Sequence, residues 1–421
     1  MAALVAVALA MSCAAVGNGS SKGRSSGGES EEEFEDRTFY MGTAGLQFSP
    51  VDMSPVFETA YIKDMIDFTS VHQEFFGIPW TEFGAGDPPP QGWVEKMNQL
   101  KAFADELGYP VLLSISPLGT PDRGYLAPLA REDGGELDLI DDWMPRCVDL
   151  SLDAAGETIK EAYRNYALWM ADFFEPQFFN IAVEINLFHY YCGDEPFEAM
   201  VELVNETYEA VKSEHPDLPV FVSFQIDFLW DYEDEDCRPH FGSCLEENLK
   251  VVEPIERDMF GIATYPLAVK SHLGYIPDEH FAGVAELVSE PLAITETGYN
   301  SGSVVLESEC GAGDCEVIVT SSQSQQREYM EFLLREARKL NMRFVVWWTL
   351  RDYMPERLEG ECPCPYEDEP LWCLYLCLSD WEWRVLTYLF GHSGVMYNDG
   401  VPKEAQRVWM RWFELPLVEA E

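Results

Sequence analysis

The sequence predicts an α/β protein in which eight parallel strands, each followed by a helix, close into a (β/α)8 TIM barrel with long loops at the C-terminal face of the strands. Length is the first observation behind this. The chain has 421 residues, too many for a typical single-core domain of about 150 but suited to a barrel of about 250 with long loops. Composition is the second: 47% hydrophobic and 13% aromatic residues supply a large core. Rhythm is the third. From Phe39 onward, short apolar runs alternate with longer amphipathic stretches, as parallel α/β folds require.

Taken in order, the apolar runs place strands at Phe39–Gln47, Phe68–His72, Pro110–Ile115, Phe178–Ile185, Val220–Gln225, Met259–Thr264, Leu292–Thr295 and Arg343–Trp348. Helical segments fall between them at Trp93–Leu107, Ala154–Phe174, Pro196–Ser213, Asp278–Val288 and Ser324–Leu340. The last starts on a serine cap and aligns Tyr329, Phe332, Leu333 and Ala337 on one face. An open doubly wound sheet is the alternative, but no G-x-G-x-x-G or P-loop marks a ligand crevice for one. Long polar segments come after several strands (117–153, 231–238, 298–323 and 351–374), where a barrel builds its active site.

The N-terminus divides from the rest. Residues 1–13 form a short apolar run ending in Ser12 and Cys13, too short to span a bilayer, which needs about 20 apolar residues. The run reads as a signal segment with a lipobox-like end, Cys13 being the residue to carry a lipid. Cleaved secretion and an intracellular start are the alternatives. Residues 14–37 are rich in Gly and Ser and then acidic, a flexible linker that cannot bury enough surface to order itself. Residues 38–421 form the folded domain. Export leaves ten further cysteines, an even number that suggests disulfides. Cys237 with Cys244 and Cys310 with Cys315 are close enough in sequence to clip single loops. Cys362, Cys364, Cys373 and Cys377 suit disulfides better than a four-cysteine zinc site, because they lack the usual C-x2-C spacing.

Charge narrows the ligand class. Lys and Arg number 27 against 75 Asp and Glu, a formal net of −48, so a polyanion such as nucleic acid is repelled and a neutral ligand favoured. An acidic solvated surface accounts for most of this charge.

Two glutamates stand at strand ends in apolar contexts. Glu184 comes after FFNIAV and Glu296 after PLAIT. A charged group at the end of a buried strand must be paired, hydrogen-bonded or functional. Singly, each suits a structural ion pair; together they are more informative, because the ends of strands four and seven face each other across a barrel mouth. Two carboxyls about 5–5.5 Å apart can cleave a glycosidic bond with retention, one protonating the leaving oxygen and the other attacking the anomeric carbon.

At these residues the chain resembles the clan A retaining glycoside hydrolases, closest to the arabinogalactan endo-β-1,4-galactanase family. The resemblance lies in Glu184 at strand four and in Glu296-Thr297-Gly298-Tyr299 at strand seven. Strand six, Asp258 to Pro266, and Val345-Val346-Trp347-Trp348 in strand eight extend it, as does the closing run Gly394 to Lys403. It implies Glu184 as acid/base, Glu296 as nucleophile, Tyr265 as hydrogen-bond partner of the nucleophile and Trp348 as a sugar-stacking wall. One position departs: Val183 stands where the clan carries Asn against the sugar 2-hydroxyl. Asn186, two residues past Glu184, points to the same side if the strand continues, and is the candidate substitute.

His72, Gln225 and Gln47 end strands two, five and one and are candidates to bind sugar hydroxyls, although a structural role is the better expectation for any one of them. Trp80 and Trp230 lie just past strands two and five, as subsite linings or loop packing. Trp347 points opposite to Trp348 and is expected in the core. The histidines form no H-x-x-x-H pair and no G-x-S-x-G elbow occurs, so neither a zinc site nor a serine nucleophile is expected. The expectation is therefore a secreted or lipid-anchored, endo-acting retaining β-glycosidase. It acts on a neutral polysaccharide (galactan, mannan or β-glucan type), with no cofactor, no metal, no nucleic-acid partner and membrane contact only through the anchor. The rival is a non-catalytic carbohydrate-binding surface lipoprotein on a hydrolase scaffold, and a third reading is a structural surface protein.

Overall fold

The computed structural model describes residues 34–44, 64–352 and 391–418, apart from 121, 134–135, 142, 152–153, 233, 235, 238–240, 268–274, 308–314 and 398. Within them lies a closed barrel of eight parallel strands. They are β1 (Tyr40–Ala44), β2 (Phe68–His72), β3 (Val111–Ser114), β4 (Phe178–Asn180), β5 (Val220–Gln225), β6 (Phe260–Thr264), β7 (Leu292–Thr297) and β8 (Phe344–Trp347). Each strand hydrogen-bonds its neighbours in sequence, and β1 closes on β8 with Tyr40 opposite Phe344 and Thr43 opposite Trp347. All eight expected strands are present.

Ten helices are described: α1 (Trp80–Ala85), α2 (Gln91–Leu107), α3 (Ala154–Phe174), α4 (Asn186–Cys192), α5 (Asp194–Glu214), α6 (Ile226–Trp230), α7 (Phe241–Val252), α8 (Glu279–Leu287), α9 (Gln323–Lys339) and α10 (Glu404–Phe413). The serine cap of α9 is Ser322, whose hydroxyl accepts from the Gln325 N–H, rather than Ser324 as the sequence suggests. Tyr329, Leu333 and Ala337 of α9 are buried against the barrel, with Phe332 half-buried beside them. Two antiparallel hairpins, Leu129–Asp133 with Glu136–Ile140 and Gly302–Glu307 with Cys315–Ser322, grow from the loops after β3 and β7.

The barrel holds two apolar shells. The outer one lies between strands and helices. The inner one is built from alternate strand residues, because side chains on a strand switch face at every position. At its floor Phe68, Phe178, Phe221 and Phe344 pack ring on ring, Phe344 lying 5.0 Å from Phe178 and 5.4 Å from Phe68 between centroids. Gly42 makes room for this plug, since a Cβ there would overlap the Phe68 ring. Toward the other end the inward residues turn polar: Ser70 and His72 come after Phe68 along β2.

At the chain ends, Arg37 pairs with Asp67 at 2.6 Å and bridges to Leu417, while Phe34 packs on Trp412. Among the described residues there are two disulfides, Cys237–Cys244 as expected and Cys147–Cys192, which links the loop after β3 to the end of α4. Cys13, Gln47, Cys310 and the four cysteines Cys362, Cys364, Cys373 and Cys377 lie outside the described residues. Among the described residues, no helix is long and apolar enough to cross a membrane.

Candidate active site

Regular strands alone would not bring the two glutamates to the barrel mouth; local irregularities at β7 and after β4 do so. Along β7, Ala293 faces the barrel interior while Leu292 and Ile294 face the helices. Simple alternation would send Glu296 outward with Ile294. A register shift intervenes: Ile294 pairs with Ile262, but Glu296 pairs with the next residue, Ala263, so Thr295 is an extra residue. Such a bulge reverses the facing of the residues beyond it, and it brings Glu296 onto the inward side of β6. There the Tyr265 hydroxyl donates to Glu296 Oε2 at 2.9 Å.

Glu184 arrives differently. The apolar run predicts a fourth strand reaching Ile185, but β4 ends at Asn180, and residues beyond it keep an irregular pairing with β5. Ile181 N–H donates to Phe221 O, Ser223 N–H to Ala182 O and Ile185 N–H to Ser223 O. Between the last two contacts the chain turns over Glu184, whose φ is 51°. Its N–H is tied to the Ser223 hydroxyl at 3.2 Å, and that hydroxyl also accepts from Asn180. A non-glycine residue in this left-handed region is uncommon and is found where surrounding structure holds it.

The turn also changes the role of Asn186. It does not lie on a continuing strand but opens α4, and its amide clamps the Gln225 backbone, Nδ2 donating to Gln225 O at 3.0 Å and Oδ1 accepting from Gln225 N at 2.9 Å. Gln225 in turn caps α6, its side-chain oxygen accepting from Asp227 N at 2.8 Å. Backbone hydrogen bonding thus engages both amide atoms of Asn186 and the amide oxygen of Gln225. Trp80 and Trp230 are buried packing residues, their ring N–H groups donating to Ala127 O and His280 O. Trp347 faces the outer core and donates to Ser393 O. Trp348 joins the inner shell, its ring edge-on to His72 with centroids 5.0 Å apart.

Three charged residues that the sequence did not single out complete the site. Arg123, in the loop after β3, is buried and donates from Nε and Nη2 to Glu184 Oε2 at 3.3 and 3.1 Å. Its Nη1 bonds Glu74, just past β2, and Thr120 at 2.7 Å. His72 Nδ1 lies 3.5 Å from the same Glu74. Burial pushes the Glu74 carboxyl upward, but Arg123 and His72 outweigh it and hold it at about 2. Glu296 goes the other way: burial, then the charge of Glu184, push it up to about 7.

The third is Asp227, at the start of α6. It accepts from the Tyr265 N–H at 3.0 Å and from the Thr264 hydroxyl at 2.9 Å, and so fixes the backbone that carries the Tyr265 ring. Burial pushes Asp227 up to about 6 and lowers the neighbouring His280 to about 3, so His280 is neutral. With Thr264 donating to Asp227, His280 Nε2–H donates to Thr264 and its Nδ1 accepts from Tyr232. No sequence pattern signals Arg123, Glu74 or Asp227: Arg123 lies 61 residues from Glu184 and 49 from Glu74, and Asp227 lies 37 from Thr264.

The barrel is shared with solved structures. No family model matches the chain, and no curated protein sequence matches it. A variant of a GH5_18 protein from Bifidobacterium longum, in complex with Manβ1-4GlcNAc, is 13% identical over 90% of this chain and 80% of its own, with a TM-score of 0.51. A variant of a GH5_18 protein from Streptomyces cattleya, in complex with the same disaccharide, is 14% identical over 89% and 79%, with a TM-score of 0.50. A fungal β-1,4-galactanase is 14% identical over 88% and 99%, with a TM-score of 0.48. The likeness to the first two is one of fold, over most of this chain and about four-fifths of each of theirs.

Proposed function

We propose that this protein is a retaining β-glycosidase acting on a neutral polysaccharide or oligosaccharide. The observation that carries the reading is the convergence of Glu184 and Glu296, from β4 and β7, into one buried cluster where the charge of one raises the pKa of the other. Structural ion pairs also perturb pKa values, but two carboxyls sharing a site at the C-terminal face of a barrel suit double displacement. Glu184 is the acid/base and Glu296 the nucleophile, as the clan A resemblance implies. Tyr265 orients Glu296, Trp348 forms a sugar platform and His72 is a hydroxyl ligand. Asn186 and Gln225 drop out of the binding set, since their amides serve the backbone.

The substrate class is galactan, mannan or β-glucan, and the β-mannosidic disaccharide held by the two GH5_18 neighbours belongs in the test panel. Two disulfides suit an oxidising compartment, reached by secretion or with a lipid on Cys13. The test is reducing-sugar release from the panel. Each of Glu184→Gln and Glu296→Gln should lower turnover by at least about a thousandfold, the scale on which a covalent mechanism depends on its key groups. Turnover that survives both substitutions refutes the assignment. One observation favours a second reading, a carbohydrate-binding protein without turnover: Val183 replaces the expected Asn, and Asn186 is engaged elsewhere. That reading predicts oligosaccharide binding by calorimetry with no product after long incubation.

A further inference from the structure

We propose that Tyr190 and Phe228 form a sugar platform on the leaving-group side of the barrel mouth, where they hold the part of a neutral glycan chain that lies beyond Glu184. The inference rests on the proposed function for the roles of the two glutamates, and adds where the rest of the substrate lies.

Placement carries the argument. In the closed ring, β4 stands opposite β8. Trp348, just past β8, and Glu296, on β7, share one side of the mouth, and Glu184, just past β4, comes from the other. Tyr190 lies on α4, which starts just past Glu184, and Phe228 lies on α6, which starts where β5 ends. Helices that begin at the ends of strands stand at the C-terminal face, where barrels bind their substrates. The two glutamates therefore lie between an aromatic wall at β8 and an aromatic pair at β4 and β5. An acid that protonates the leaving oxygen has the departing sugar on its own side, so the pair meets that half of the chain.

The rings suit this task. Tyr190 is 50% exposed, and its ring meets Phe228 edge-on at 4.9 Å and Tyr191 at 5.3 Å between centroids. A lone apolar side chain on a surface signifies little, but contiguous aromatic rings beside convergent polar groups are a usual lining of ligand sites. Tyr191 ties the group to the glutamates: burial above all, then nearby acidic groups that include Asp122 and Glu184, push its hydroxyl upward. The group is also fixed in place. Arg146 Cζ lies 5.0 Å from the Tyr191 ring centroid while its Nε donates to Asp122 at 3.1 Å. The Cys147–Cys192 disulfide pins the end of α4 to the loop after β3, and Asn186 fastens its start to the Gln225 backbone, from which α6 departs. Rings held in this way lose little freedom when a sugar packs on them. An apolar ring face with a phenol hydroxyl suits the C–H face and hydroxyls of a pyranose. The acidic excess of the chain, a formal net of −48, disfavours an anionic sugar.

The experiment is calorimetry of the full-length protein with linear β-1,4-linked ligands of galactose, mannose and glucose, from monosaccharide to hexasaccharide. Wild type is compared with Tyr190→Ala, Phe228→Ala and Tyr190→Phe, in Glu296→Gln protein for any ligand that is hydrolysed, and near-ultraviolet circular dichroism reports folding. Tyr190→Ala and Phe228→Ala should each weaken binding of the tetrasaccharide to hexasaccharide roughly threefold to tenfold and leave the shortest ligand that binds unchanged. Tyr190→Phe keeps the ring and should match wild type within about twofold. Unchanged binding of the long ligands in folded Tyr190→Ala overturns the proposal, as does an equal loss at every length or a Tyr190→Phe variant as weak as Tyr190→Ala. If Phe228→Ala does not fold, the exposed Tyr190 still decides. Length-dependent losses without any cleavage support the platform while refuting turnover; a protein that binds no ligand of any length refutes both readings. In an active enzyme, a disaccharide fluoride, whose leaving group is a single atom, supplies a second readout. Its kcat/KM should be unchanged in Tyr190→Ala while that of the hexasaccharide falls, and an equal fall for both overturns the leaving-side placement.

Discussion

Asn186→Ala separates a structural role for this residue from a sugar-binding one. The asparagine makes two buried hydrogen bonds to the Gln225 backbone, at 3.0 and 2.9 Å, and is 5% exposed. Alanine removes both and leaves the Gln225 N–H and carbonyl without that partner in a buried setting. Each orphaned group costs about 1–3 kcal/mol, and some relaxation or water entry is expected, so the total should fall at about 2–4 kcal/mol. The damage should centre on the junction of β5 and α6, which Gln225 caps, and reach Asp227 and Tyr265 through the bonds from Gln225 to Asp227 and from Asp227 to Tyr265. Urea unfolding should therefore show a lower midpoint with an unchanged slope. Calorimetry of any oligosaccharide that binds should show affinity reduced no more than misplacement of Tyr265 explains, with Asn186→Asp intermediate in stability. A variant as stable as wild type that has lost its sugar affinity would refute the structural assignment and return Asn186 to the binding set.

Two further predictions concern packing and pH. Gly42→Ala should destabilise the barrel by about 1–3 kcal/mol through overpacking, since the new methyl group would overlap the Phe68 ring, which Phe178 and Phe344 hold in place; Phe68→Leu added to it should recover part of the loss in thermal unfolding. Glu296 has a folded pKa of about 7, above its ordinary value of 4.5. The folded state then binds the proton more tightly than the unfolded one, so this contribution to stability is full below pH 4.5 and is lost as pH rises toward 7. Denaturant titrations at pH 4.5 and pH 7.5 should show wild type losing stability relative to Glu296→Gln across that interval, and parallel curves would contradict the burial argument.

Much of the fold was legible because its signals are local. Each strand is a short apolar run between polar segments, and Phe68 to His72 and Val220 to Gln225 are bounded as the sequence indicates. The two glutamates were legible as exceptions within such runs, and Tyr265 only through the resemblance at strand six. What escaped were the departures from regular geometry. An extra residue at Thr295 carries no composition signal, yet without it Glu296 would face the helices. Asn186 is misplaced by the same blind spot: period-two alternation does not survive the turn at Glu184, which only the pairing with Ser223 reveals. Arg123 and Glu74 were invisible because their partners lie 61 and 49 residues apart in sequence. The Cys147–Cys192 link, spanning 45 residues, was hidden for the same reason.

The two ends of the barrel interior show why stability alone does not account for the mouth. Its floor is closed by four phenylalanine rings, an arrangement that needs no hydrogen bonds and gains from every buried contact. The mouth instead buries three carboxyls, Glu74, Glu184 and Glu296, around one guanidinium. Buried ion pairs seldom repay their desolvation, and apolar replacements of similar volume are often neutral or stabilising. Here the stoichiometry is worse than a pair, because burial and the charge of Glu184 both push the third carboxyl, Glu296, upward. A sequence that fills one end of the barrel with Phe could close the other the same way. That it places an ionisable pair there, on a strand bulge and a left-handed turn, argues for chemistry at the mouth rather than for support of the fold.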